Sequence, residues 1–346
     1  MALSITKLAE LAGVSPTTIS RALSNRGYVN AETKERILQL AAEMGYQPKK
    51  YKKRLTSSSN IIGVVIPDIA NSFFSEIIQG IEDTVMPKGY NIFICDSSED
   101  TGKEVTCVSA LQSRDICGLI IAAASDIAAY NTDYLKSLND NYFPVVLIDR
   151  NLHIPGMDSV VVDNFGGAYS AVQALIDQGH TNIAILCGPT ASYTGVDRLK
   201  GYIEALRKNS IPIREEYIMY GDYRLQSGYD LTKRLISSRK EITAIFACNR
   251  KMTIGCLKAL TELGLKVPDD FAVISFGKAD SDILYPTPIS HIKHPVSLIG
   301  EEAAHILLSK IDSGSKYKKS PGKQSIFSTE CVLCGSEKYP KNRKLL

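Results

Sequence analysis

The sequence predicts an all-α, three-helix head followed by a two-lobed α/β body built on two doubly wound parallel sheets. Three observations lead there. The chain has 346 residues, more than one domain of ~100 to 200 residues holds. The first sixty residues carry ten Lys and Arg against four Glu, giving +6, and the remainder carry thirty against thirty-three acids, giving −3; together these make the +3 of the whole chain. A polyanion-binding module thus precedes a near-neutral body. From Asn60 onward, short apolar, β-rich runs alternate with amphipathic stretches, the pattern of parallel sheets.

Composition narrows the class further. Hydrophobic residues make up 44% and charged residues 22%, which excludes disorder and fills a sizeable core. Apolar stretches such as Gly118 to Ala124 fall short of the ~20 residues that span a bilayer. Met1 to Gly13 lacks the basic start and apolar core of a signal peptide, so the chain is expected in the cytoplasm. The eight cysteines lie mostly inside apolar runs such as Asn91 to Cys95 and Ile183 to Cys187, where buried reduced thiols are expected rather than a disulfide framework. Cys331 and Cys334 form a single CxxC without a second pair or a His partner, a weak signal for zinc or redox chemistry.

In the head, Ile5, Leu8, Ala9 and Ala12 recur at helical spacing until Ala12-Gly13-Val14 interrupts them. Ser15-Pro16 restarts a helix, because Ser caps free amides and Pro suits the first turn; this second helix is expected to run to about Leu23. Small Ala9, Gly13 in the turn, and inward Val14 and Ile19 are what two steeply crossing helices require, a helix-turn-helix signature. A third helix, from about Ala31 to Met44, buries Ile37, Leu40 and Ala41. Next comes Lys49-Lys50-Tyr51-Lys52-Lys53-Arg54-Leu55, whose crowded cations repel one another until phosphates offset them.

The stretch Ile5 to Leu23, read with Gly45-Tyr46-Gln47-Pro48 and the hinge ending in Leu55, resembles the LacI/GalR family of bacterial transcription repressors. Further blocks extend that resemblance over nearly the whole chain: Pro144 to Arg150, Val162-Asp163-Asn164, Gly179 to Ala184, Arg198 to Tyr202 and Pro268 to Ile274. It implies a helix-turn-helix DNA-binding domain in residues 1–48, a hinge helix and linker in 49–59, and a periplasmic-binding-protein-like core. The first lobe of that core would take residues 60–162 plus about 292–325, and the second 163–291 plus about 326–346. It also implies a homodimer on a pseudo-palindromic operator in double-stranded DNA, with the second helix in the major groove and a hinge leucine wedged into the minor groove. By motif position Thr17, Thr18 and Arg21 face the major groove, and Leu55 takes the wedge position. Arg21 is the expected base contact, since its fork matches guanine O6 and N7. Ser15, Pro16, Ser20, Lys52 and Lys53 complete the DNA-binding set, the serines and lysines positioning the backbone. Pro16 and Thr17 stand where relatives often carry larger hydrogen-bonding side chains, so the operator sequence cannot be copied from them.

Strands are expected at Ile61 to Ile66, Tyr90 to Cys95, Gly118 to Ala122, Val145 to Ile148, Ile183 to Leu186, Ala244 to Ala247 and Phe271 to Ser275. Helices are expected at Phe74 to Met86, Gly166 to Gln178, Val196 to Lys208, Gln226 to Ser237 and Met252 to Leu263. In such a fold a ligand sits beyond the strand carboxyl ends. The resemblance places Phe73, Phe74, Ser192, Thr194, Arg198, Tyr223 and Asn249 on it, Phe74 fitting a helix-start core equally well. Arg250 and Lys278 depart from the family, which usually has acids at both places. An arginine at a helix amino terminus opposes the dipole by ~0.3 to 1 kcal/mol, so Arg250 calls for a compensating anion. With Arg198 and Lys278 it would form a receptor for a carboxylate or phosphate, and the effector is expected to be a sugar acid or sugar phosphate. Solvated surface positions are the alternative for Arg250 and Lys278. No cofactor is expected, and no enzyme: no GxGxxG follows a strand, no GxxxxGK[ST] occurs, and Asp149, Asp163 and Asp222 show no decisive spacing. His180 is expected to cap a helix end. The tail from Glu337 lacks the leucine heptads of a tetramerisation helix.

Overall fold

The structure is a computed structural model that describes residues 9, 11–15, 18, 19, 22, 29–43, 59–127, 130–190, 192–238, 241–279, 287–314 and 321–340. The chain divides into two units, residues 1–55 and 56–346.

In the first unit, Ala9, Ala12, Ile19, Ala22, Ile37 and Ala41 are buried together, with Val14 and Leu40 partly covered. Gly13 takes φ +62, and the Val14 amide returns to the Ala9 carbonyl at 3.1 Å, the left-handed closure with which helices commonly end. Ser15 Oγ then accepts from the Thr18 amide at 3.2 Å, so the serine caps the following turn as its type and position predict. Helix α1 (Ala31–Glu43) supplies Ile37 and Ala41, and its Arg36 donates to the Ala12 carbonyl at 3.1 Å. Pro16, Thr17, Ser20, Arg21, Lys52, Lys53 and Leu55 lie outside the described residues.

The second unit holds the two predicted parallel sheets. In the first, the order is β11-β5-β4-β3-β1-β2, with β1 (Ile61–Ile66), β2 (Asn91–Asp96), β3 (Gly118–Ile121), β4 (Val145–Ile148), β5 (Asp158–Val162) and β11 (Gln324–Phe327). The second follows β12-β10-β9-β8-β6-β7, from β6 (Ile183–Cys187), β7 (Ile218–Tyr220), β8 (Ala244–Ala247), β9 (Ala272–Phe276), β10 (Ser290–Lys293) and β12 (Glu330–Val332). Among the described residues, only the β10–β12 pair is antiparallel. The chain passes between sheets after Val162, between Lys293 and Val296, and between Phe327 and Glu330; the Asp163 amide bonds the Phe327 carbonyl at 2.9 Å, tying two of these crossings together.

Each sheet is covered on both faces, which is why β1, β3, β4, β6 and β8 read as unbroken apolar runs. Helices α2 (Ser72–Val85) and α9 (Val296–Ser313) cover one face of the first sheet, and α3 (Thr101–Ser113) and α4 (Asp133–Asp140) the other. Around the second sheet, α5 (Asn164–Asp177) and α6 (Tyr193–Lys208) face α7 (Leu225–Ser238) and α8 (Arg250–Glu262). Several helices begin two or more residues before their predicted starts because a polar cap precedes the apolar face. Asn71, Asp163 and Asn249 each accept a main-chain N–H of the first turn of α2, α5 and α8. Paired helices also cross at glycines. A Cβ on Gly80 would lie 2.1 Å from the Ser297 carbonyl oxygen, and one on Gly300 would lie 2.1 Å from that of Ile77. The same close approach recurs at Gly228 and Gly255 between α7 and α8.

His180 departs from its predicted capping role. It is fully buried, with Nδ1 2.7 Å from Thr243 Oγ1 and Nε2 3.1 Å from the Glu337 carbonyl. It stacks near Tyr339 and so pins the tail to the second sheet; the helix end is closed instead by its own main-chain amide to Leu175 O.

Candidate functional site

The segments that leave the strand carboxyl ends of the two sheets meet one another, and their contacts define a cleft. After β3, buried Asp126 accepts from Ser192 Oγ at 3.1 Å and from the Thr194 amide at 3.2 Å, both at the start of α6 in the other lobe. After β1, Ser72 and Glu76 face Arg250 at the start of α8: Nη1 lies 2.7 Å from Ser72 Oγ and 3.3 Å from Glu76 Oε1. Next to that pair, Lys251 reaches Asp68. His153 and Tyr193 meet edge to face with centroids 5.1 Å apart.

Arg198 sits at the centre. Its Nε donates to Asn164 Oδ1 at 2.8 Å, Nη1 donates to the Cys248 carbonyl, and its guanidinium carbon lies 3.8 Å from the centre of the Phe276 ring. The same carbon lies 5.8 Å from the centre of the Tyr223 ring. Rings continue from there, Phe276 to His294 at 5.2 Å and His294 to Phe73 at 5.8 Å. Burial, with Arg198, Arg250 and His291 close by, pushes the His294 imidazole down to about 3, so it is neutral at physiological pH. Among the described residues of this region, Arg150 Nε is buried without a hydrogen-bond partner, and so are Arg250 Nε and His294 Nδ1. The Arg250 and His294 side chains converge above Gly277, where a Cβ would lie 3.2 Å from Arg250 Nε and 3.3 Å from His294 Nε2. Gly277 has φ +97, so both conformation and space require glycine there.

The first lobe contributes Asp149 and Arg150 at the end of β4. Burial raises the Asp149 carboxyl, against the pull of Arg150 and Arg198. Burial also works against the Arg150 charge, but Glu99, Asp149 and Asp126 outweigh it and hold the guanidinium ionised. Arg150 is fastened to Glu99 and to the Ala123 carbonyl.

The sequence-derived set divides. Phe73, Ser192, Thr194, Arg198, Tyr223 and Arg250 surround the cleft. Tyr223 has φ +65, its hydroxyl lies 3.4 Å from Thr194 Oγ1, and burial pushes its phenol up to about 12. Phe74 instead belongs to the first lobe's core, 3% exposed among Ile66, Ile77 and Ile299, because the residue after Phe73 turns to the opposite side of the first helical turn. The Asn249 amide is occupied within its own lobe: Oδ1 accepts from Met252 N at 2.8 Å and Nδ2 donates to Tyr223 O at 2.7 Å. Lys278 is exposed, in line with the surface alternative, whereas Arg198 and Arg250 stand in the cleft. Arg250 does have its compensating anion, and that anion is Glu76 of the opposite lobe. Sequence reasoning missed Asp126, Glu76, Phe276 and His294; the strand-end positions of Phe276 and His294 were the available signal.

Comparison with known proteins fits this architecture. Residues 4–49 match the model of bacterial regulatory proteins of the lacI family, and residues 59–332 match periplasmic binding proteins and the sugar-binding domain of the LacI family. The chain therefore belongs to the LacI family: it is a DNA-binding transcriptional repressor with a ligand-binding domain. It is 30% identical over 308 residues to the HTH-type transcriptional repressor PurR of Mannheimia succiniciproducens, covering 89% of this chain and 91% of that protein. It is 31% identical over 303 residues to the HTH-type transcriptional regulator DegA of Bacillus subtilis, covering 87% and 89%. A LacI family transcriptional regulator from Enterococcus faecium with bound ribose superposes with a TM-score of 0.69 at 26% identity, covering 81% of this chain and 100% of that one. Among the described residues, no helix is long and apolar enough to cross a membrane.

Proposed function

We propose that the protein represses genes of carbohydrate or sugar-acid catabolism and that its effector is an anion, a sugar acid or sugar phosphate, held between the lobes. The observation that carries the anion is the pair of unpartnered buried atoms, Arg250 Nε and His294 Nδ1, in a cleft that also holds Arg198. An unmet buried polar group costs ~1 to 3 kcal/mol, and ligand oxygens within hydrogen-bond reach of these two atoms would relieve it. The Glu76 side chain is 51% exposed while that of Arg250 is 14% exposed, so Glu76 can swing into water and yield the guanidinium to a ligand carboxylate or phosphate. Arg then offers bidentate geometry, and Phe73, Phe276 and Tyr223 supply flat apolar walls.

On DNA, the protein acts as a homodimer on a pseudo-palindromic operator. Ser15, Pro16, Thr17, Thr18, Ser20 and Arg21 address the major groove, Lys52 and Lys53 the phosphates, and Leu55 a base step in the minor groove. The capped turn at Ser15 supports this reading, because Ser15 Oγ accepts the Thr18 amide at the start of the segment that the resemblance assigns to the major groove.

A neutral ring is the second reading, favoured by the existing Arg250–Glu76 pair, the chain of rings from Phe73 to Phe276, and the ribose held by the Enterococcus relative. Calorimetric titration with sugar acids, sugar phosphates and the matching neutral sugars separates the two. Binding of an acid or phosphate that is lost in Arg250→Ala supports the anion; tight binding of a neutral sugar with no response to its acid overturns it.

A further inference from the structure

We propose that Cys187 and Cys248, both buried in the second lobe's core at 1% and 0% exposed, form a peroxide-sensitive dithiol, a site of reversible disulfide formation. The two residues end neighbouring parallel strands in matched register: Leu186 pairs with Ala247, and the Cys248 amide bonds the Leu186 carbonyl at 3.0 Å. Both side chains enter the same core cluster, so they project from the same face of the sheet. Strand neighbours lie about 4.8 Å apart, inside the roughly 4.4 to 6.8 Å Cα separation that a disulfide spans. The link also asks for Cβ atoms about 3.5 to 4.5 Å apart, so it draws the two residues slightly together.

The chemistry of the pair is asymmetric, as exchange between a nucleophile and a resolving thiol requires. Neighbouring Cys248, with the Gly188 amide and the Arg198 charge, holds the Cys187 thiol below its ordinary value against the effect of burial, and Cys187 Sγ lies 3.9 Å from the Gly195 carbonyl oxygen. Burial, and then Cys187 itself, raise Cys248. The other close pair, Cys95 and Cys107, lacks this arrangement, since burial and its neighbour raise Cys95. Cys331, of the CxxC, is pushed up to about 11 by burial and by Glu337 and Cys334.

The step balances with hydrogen peroxide as oxidant. The Cys187 thiolate attacks one peroxide oxygen, the O–O bond breaks, and the leaving hydroxide takes up a proton, leaving a sulfenic acid and one water. The Cys248 sulfur then attacks the sulfenic sulfur, the S–O bond breaks, and the departing hydroxide leaves with the Cys248 proton as a second water. Two thiols are oxidised to one disulfide and one peroxide is reduced to two waters. The product joins β6 to β8 directly below Arg198, whose guanidinium is anchored on the Cys248 carbonyl, so oxidation acts on the residue at the centre of the ligand cleft.

The test is peptide mapping of the full-length protein after graded hydrogen peroxide, with remaining thiols alkylated in denaturant. The expected result is a Cys187–Cys248 cross-linked peptide that appears before any Cys95–Cys107 link and disappears on treatment with dithiothreitol. Cys248→Ser should leave Cys187 as a sulfenic acid captured by dimedone, and Cys187→Ser should slow oxidation of Cys248 roughly tenfold or more, because the favoured thiolate is gone. Full alkylation of both Cys187 and Cys248 at peroxide doses that oxidise other cysteines, or at every dose, overturns the proposal. The mapping of the unmodified protein decides the matter even where a serine variant fails to fold.

Discussion

The guanidinium of Arg250 bridges two lobes through Ser72 and Glu76 while its Nε remains buried and unpartnered. Glu76 therefore competes with any anionic effector for the same charge. Replacing it, Glu76→Gln, should raise the affinity for a sugar acid severalfold, about 1 kcal/mol as befits a half-exposed ion pair, read by calorimetry; unchanged affinity would remove Glu76 from the account. His294 carries a pH prediction. Its folded value of about 3 lies below the ordinary 6.5, so the unfolded chain binds the extra proton, and the stability it contributes is present above pH 6.5 and lost as pH falls toward 3. The slope is at most about one proton, roughly 1.4 kcal/mol per pH unit. In His294→Gln, urea unfolding between pH 6.5 and 4.5 should lose that part of the slope. At the other end of the chain, Arg21→Ala should relax base preference at one operator position by roughly 1 to 3 kcal/mol, visible as convergence of affinities across an operator series mutated at single positions.

Among the elements, the helix pairs are the least tolerant. Between α2 and α9, Gly80 and Gly300 let main chains touch, and a Cβ on Gly300 would collide with the Ile77 carbonyl. Gly300→Ala should destabilise the body by about 1 to 3 kcal/mol through overpacking, measured by chemical denaturation, whereas Gly89→Ala meets nothing within 4 Å and shows only the strain of its φ of +83. The central strands and the helices α2 and α5 to α8 were legible because burial on both faces leaves continuous apolar runs and a single buried stripe leaves a helical period. Strands β5, β7, β10, β11 and β12 were not; β7, β11 and β12 are each three or four residues at a sheet edge. Pairing rather than local sequence makes them: β11 aligns Gln324 with Ser159, far away along the chain. Helix α3 escaped for a related reason, because one of its three buried positions is Glu104, held inside by the Ala124 amide and the hydroxyls of Tyr130 and Tyr134. The cleft was half legible. Arg198 and Tyr223 followed from motif position, but the pairing of Arg250 with Glu76 and of Asp126 with Ser192 joins residues that only folding brings together.

Across the whole molecule, the cleft is spanned by polar links of modest strength: Asp126 to Ser192 and Thr194, Arg250 to Ser72 and Glu76, and Lys251 to Asp68. A ligand that exchanges with one of these links while filling the space beside Arg198 changes the balance between lobe arrangements. Under the proposed function the effector changes operator affinity, and such coupling is reciprocal: an effector that weakens operator binding is itself bound more weakly by the operator complex. The measurement that tests the central claim most directly is fluorescence anisotropy of the protein on labelled DNA from its own upstream region, titrated with a sugar acid, the matching sugar phosphate and the neutral sugar. The account predicts that an acid or phosphate shifts operator affinity by roughly 5- to 150-fold, the usual range of such coupling, that the neutral sugar leaves it unchanged, and that Arg250→Ala abolishes the response. A full response to the neutral sugar that survives Arg250→Ala would contradict it.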